Sequence, residues 1–63
     1  MTSAALRKAL YRRQAILKIK ATHKVFIATV QDGATFGDAE GEDLDETIEG
    51  AFEEFDRKQN NFK

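Results

Sequence analysis

The chain has no cysteine among its 63 residues, which excludes disulfide bonds as a source of stability. A metal site would have to be assembled from His23, the one histidine, and carboxylates. The missing thiols fit a reducing compartment. Long apolar runs are missing as well, and none approaches the roughly 20 residues that a membrane span requires. The segment Met1-Thr2-Ser3-Ala4-Ala5-Leu6 lacks the basic region and apolar run of a secretory signal. A cytoplasmic protein without membrane association is expected. There are no internal repeats and no low-complexity linker.

Acidic residues are missing from the first 31 positions, which carry only the bases Arg7, Lys8, Arg12, Arg13, Lys18, Lys20 and Lys24. Every carboxylate side chain falls between Asp32 and Asp56. The net charge of -1 therefore conceals two oppositely charged halves. Such segregation either signals an interaction surface or holds the two halves against one another.

What remains is a folded but small chain. Hydrophobic residues make up 41%, enough to exclude a disordered polymer. A domain of this size buries only about 60% of its unfolded surface, so its core is thin. Small scaffolds without disulfides compensate by binding metals, partners or copies of themselves. Self-association or a partner protein is expected here.

Periodicity supplies the elements. From Ser3 to about Gln14, Leu6, Ala9 and Leu10 recur at helical spacing, with Ser3 as the expected N-cap and Arg12 and Arg13 at the favourable C-terminal end. Leu17–Thr22 alternates apolar and polar residues and reads as a strand, although Leu17 and Ala21 also extend the helical stripe. Val25–Val30 is rich in β-branched residues and reads as a second strand. Asp32-Gly33 is a hairpin turn signal, Ala34–Phe36 the expected return strand, and Gly37–Glu42 a loop. Asp43 then caps a helix and pairs with Glu46 as in a capping box. Leu44, Ile48, Ala51, Phe52 and Phe55 form one apolar stripe along it. Gln59–Lys63 reads as a frayed tail. The predicted fold is an α+β two-layer domain: N-terminal helix, hairpin or three-stranded antiparallel sheet, and C-terminal amphipathic helix, with both helices on one face.

The residues do not assemble a reaction. Nucleophilic catalysis needs a nucleophile, a base and an orienting group. Ser3 is claimed as a cap, and His23 falls in a turn. No enzyme and no cofactor are expected. The acidic run from Asp38 to Asp43 superficially matches a calcium loop. An EF-hand counted from Asp38, however, places Asp43 where position 6 demands glycine.

The acidic helix is the most informative feature. Asp45, Glu46, Glu49, Glu53, Glu54 and Asp56 occupy the surface left by the apolar stripe, and the loop adds Asp38, Glu40, Glu42 and Asp43. Carboxylates near a helix C-terminus oppose its dipole, and like charges four residues apart repel. Local stability therefore does not select this face, whereas attraction of a basic partner would.

Two resemblances fall between Lys24 and Asp56. The order strand, Asp-Gly turn, strand and acidic helix resembles small phage-encoded proteins, including host-polymerase inhibitors and head-completion proteins. Thr35-Phe36-Gly37-Asp38 followed by Leu44-Asp45-Glu46-Thr47-Ile48 resembles HicB-like antitoxins, in which a strand leads through Gly-Asp into an acidic helix start. Gly41-Glu42-Asp43 is extra length relative to that pattern, and the usual Pro before the second strand is missing.

The leading expectation is a small interaction protein binding a basic protein surface through Asp45, Glu46, Glu49, Glu53, Glu54 and Asp56. Its concrete form is a phage or mobile-element inhibitor that mimics nucleic-acid charge and occupies a nucleic-acid-binding host protein. One alternative is a virion-assembly or homo-oligomeric component burying Phe26, Phe36 or Phe62. Another is a nucleic-acid binder using Arg7, Lys8, Arg12 and Arg13 beside Tyr11.

Overall fold

Two helices and three strands make up most of the computed structural model, which describes residues 2–61. They are α1 (Ser3–Arg13), β1 (Ile16–Ala21), β2 (Phe26–Gln31), β3 (Phe36–Gly41) and α2 (Leu44–Asn61). The strands form an antiparallel meander in the order β1-β2-β3. This is the expected α+β domain, with three strands rather than a bare hairpin.

Register decides which side chains meet. Leu17, Ile19 and Ala21 of β1 face Val30, Ala28 and Phe26 of β2. These face Gly37, Ala39 and Gly41 of β3 in turn. Directly paired residues project to one side of a sheet, so these nine positions form its inner face. Against that face α2 buries Ile48, Ala51, Phe52 and Phe55, which close a core with Ala28 and Val30. Leu6, Ala9 and Leu10 of α1 pack on the same core half-buried, together with Ala15 and Leu17. Each large apolar side chain fully buried there contributes about 1.5–3 kcal/mol.

The return strand expected over Ala34–Phe36 lies instead over Phe36–Gly41, taking most of the loop expected over Gly37–Glu42. β-propensity is poor there, but the alternation Gly37, Ala39, Gly41 against Asp38, Glu40 has the period of a strand. The glycine at 37 is dictated by packing. A Cβ on it would stand 2.3 Å from the Phe55 backbone nitrogen and 2.8 Å from the Ala51 carbonyl oxygen. Backbone cannot be displaced cheaply, so helix and strand approach this closely only over glycine. The turn before β3 spans Asp32 to Thr35. There Asp32 Oδ1 accepts from the amides of Ala34 (3.2 Å) and Thr35 (2.8 Å), and Gly33 adopts φ 105°.

Helix ends depart from expectation in small, physical ways. Thr2, not Ser3, caps α1, its hydroxyl accepting from the Ala5 amide at 3.2 Å. Gln14 enters the left-handed region (φ 52°), and its amide is satisfied by the Leu10 and Tyr11 carbonyls. That cap stops the helix and commits Ile16–Ala21 to the sheet. Asp43 caps α2 as expected, with Oδ1 accepting from the Glu46 amide at 3.0 Å. The Thr47 hydroxyl, buried, donates to the Asp43 carbonyl at 2.6 Å. α2 continues through Asn61, so Gln59 and Asn60 are helical rather than part of a tail. Gln59 Nε2 donates to Asp32 Oδ2 at 2.7 Å. Phe62 and Lys63 lie outside the described residues.

Candidate functional site

The carboxylates of α2 fall into two sets. Asp45, Glu46, Glu49 and Glu53 are exposed, whereas Glu54 and Asp56 are half-buried. For Asp56 the difference arises from α1. Ala9, Arg12 and Arg13 line a groove with Glu49, Phe52, Glu53 and Asp56. Across it Arg13 grips Asp56 with both edges of the fork, Nε to Oδ1 at 2.8 Å and Nη2 to Oδ2 at 2.6 Å. Its Nη1 donates to the Ala9 carbonyl at 3.0 Å, and the guanidinium lies 4.8 Å from the centre of the Phe52 ring. Planar bidentate geometry and ring stacking are what arginine offers and lysine does not.

Proton affinities follow from this pairing. Hydrogen bonding from Arg13 holds the Asp56 carboxyl below its ordinary value, with a further Coulombic pull from Arg13 and then Arg12 against the cost of burial. Hydrogen bonding to Asp56 raises Arg13 in return. Asp32 is also lowered, first by the Thr35 amide.

Asp56, expected among the principal partner contacts, is thus committed inside the chain. Glu54 forms an ion pair with Arg57 one turn along the helix. Among the described residues, Glu46, Glu49 and Glu53 have no such ion pair. The exposed acidic surface is centred on these three, with Asp45 and Glu42 beside them.

The basic residues divide similarly. Arg7, Lys8 and Arg12 are exposed on α1 with Tyr11, which is 84% exposed, while Arg13 turns inward. His23 is exposed in the turn between β1 and β2. Among the described residues no three His, Asp or Glu side chains converge to hold a metal ion. Asp38 and Glu40 belong to β3, not to a loop, so the calcium-loop spacing has no structural counterpart. For the same reason Gly37-Asp38 lies within a strand rather than at the entrance to α2, unlike the antitoxin pattern. Of the aromatics proposed for self-association, Phe26 is half-buried on the inner face. Phe36 is 54% exposed, with Lys58 Nζ 4.7 Å from its ring centre.

Sequence reasoning allowed for attraction between the two halves but left two specifics unplaced. The Arg13–Asp56 clasp joins positions 43 apart, and no local pattern announces it. The placement of Asp38 and Glu40 on one sheet face was announced by their alternation with small residues, and the two glycines obscured it. Among the described residues no helix is long and apolar enough to cross a membrane. No protein-family model, curated protein or solved structure matches the chain.

Proposed function

We propose that the chain is a small non-catalytic interaction protein whose acidic α2 face binds a basic protein surface. The observation that carries this reading is that Glu46, Glu49 and Glu53 stand exposed, without an ion-pair partner among the described residues. Fixed carboxylates on a rigid helix steer cationic partners and repel polyanions. A nucleic-acid-binding protein fits that chemistry, because its own groove is built to receive evenly spaced negative charge. Glu46, Glu49 and Glu53 would supply the central contacts, with Asp45 and Glu42 at the rim. Asp56 has an indirect role here, fixing α1 beside the face.

Affinity capture from cell lysate, with the parent chain beside Glu46→Lys/Glu49→Lys/Glu53→Lys, tests the reading. The parent should retain a basic protein that elutes with salt and that the variant fails to retain. Identical retention by both chains would remove the acidic face from consideration.

A second reading has its own observation. Arg7, Lys8, Arg12 and the 84% exposed Tyr11 share the outer surface of α1, as phosphate contacts and a stacking ring would. It requires salt-dependent binding of random-sequence DNA or RNA that Arg7→Ala/Lys8→Ala weakens. No binding at low salt would exclude it.

A further inference from the structure

Both helices lie on one side of the sheet, and the opposite side carries an ordered charge pattern of its own. Its residues form three rows across the strands. Ile16, Gln31 and Phe36 make the first row, Lys18, Thr29 and Asp38 the second, and Lys20, Ile27 and Glu40 the third. All four charged side chains are exposed, and Ile16 and Phe36 are 55% and 54% exposed. Among the described residues none of the four has an ion-pair partner. The face thus has a cationic edge on β1, an edge on β3 that is anionic at Asp38 and Glu40 with Lys58 of α2 reaching over the Phe36 ring at its end, and a middle strand of Ile27, Thr29 and Gln31.

We infer that this outer face is a self-complementary docking surface whose partner is a second copy of the chain. Consider two copies stacked face to face about a two-fold axis lying in the interface along β2. The rotation exchanges β1 with β3 and preserves position along the strands. Lys18 then lies over Asp38 of the second copy, Lys20 over its Glu40 and Ile16 over its Phe36, while Gln31, Thr29 and Ile27 each meet themselves. A two-fold axis across the strands would instead stack β1 on β1, lysine on lysine. Charge therefore selects one of the two in-plane arrangements, and the match holds in all three rows. Isologous pairing of this kind makes every off-axis contact twice, so each copy contributes both partners of the charged pairs. Sheets stacked face to face also tolerate the offset of about 30° that strand twist imposes.

The size of the face sets the strength. Three strands about 4.8 Å apart and six residues long give a footprint of roughly 14 by 20 Å. That is below the standard interface class, so the dimer is weak and reversible, with a Kd of roughly tens to hundreds of micromolar. The surface is distinct from the α2 face, and the two proposals fail independently.

Sedimentation equilibrium from roughly 20 μM to 1 mM, chosen to bracket that Kd, is the direct test. The mass should rise from 7.1 kDa toward twice that value, and less so as salt is added. Lys18→Glu/Lys20→Glu and Asp38→Lys/Glu40→Lys should each raise the Kd at least tenfold. An equimolar mixture of the two should associate again, because every pair then regains opposite signs. The chain carrying all four substitutions should dimerise like the parent. Circular dichroism confirms that each variant is folded, and Lys18→Gln/Lys20→Gln replaces a variant that is not. A parent that stays monomeric throughout overturns the inference. So does a dimer indifferent to the single-edge variants, or a mixture that fails to reassociate.

Discussion

The two helices of this protein are held by different physics. α2 places Ile48, Ala51, Phe52 and Phe55 in the core and meets β3 backbone to backbone at Gly37. α1 contributes no fully buried residue. It rests on the half-buried Leu6, Ala9 and Leu10 and on the Arg13–Asp56 clasp. One helix is part of the fold, and the other is fastened to it. Stability should therefore be unevenly distributed, with α1 opening at lower free energy than the sheet and α2.

The contrast can be broken from either side. Gly37→Ala should have the largest effect, forcing α2 off β3 at a cost of roughly 3 kcal/mol or more. A chain of this length has only about 3–9 kcal/mol in total, so the variant should lose a third or more of its stability and melt far below the parent by circular dichroism. An unchanged melting temperature would mean that the contact is not as close as described. Leu6→Ala comes next, at roughly 1 kcal/mol. In native-state hydrogen exchange it should speed α1 amides while leaving those of α2 protected. Equal acceleration in both helices would show that they open together.

Asp56→Asn should cost about 1 kcal/mol at neutral pH, since the pair is partly exposed. Its pH dependence is more telling. The folded-state pKa of Asp56 is depressed, so its stabilisation is present above the ordinary value of 3.8 and is lost as pH falls through the folded value. Thermal melts between roughly pH 5 and pH 2 should then converge for parent and variant. A constant gap down to the lowest pH would show that the clasp is not ionic. Tyr11→Ala closes the series, with a stability change within about 0.5 kcal/mol at so exposed a position. A larger loss would mean that α1 is held by more than its inner stripe and clasp.

The same contrast explains how much the sequence discloses. α2 was legible because its stripe, its Asp43 cap and its charge all repeat within a few residues. β2 was legible from its β-branched composition. β3 was legible only as a return strand over Ala34–Phe36, and its extent over Phe36–Gly41 was not, since that segment has little intrinsic preference for a strand and packs closely beneath the helix. The acidic set was visible as a list of carboxylates, but its division was not. Asp56 is removed from it by an arginine in the other half of the chain, Glu54 by Arg57. Segregated charge in the sequence thus had two outcomes, one pair closed within the chain and one face left open.

Gly37 has one more consequence. Because the strand and helix touch through main-chain atoms, no side-chain rotation can relieve a shift between them. A displacement of α2 along β3 would drive main-chain atoms together, so the two elements should move as a unit. α1, resting on half-buried contacts and the Arg13–Asp56 clasp, should separate from that unit first.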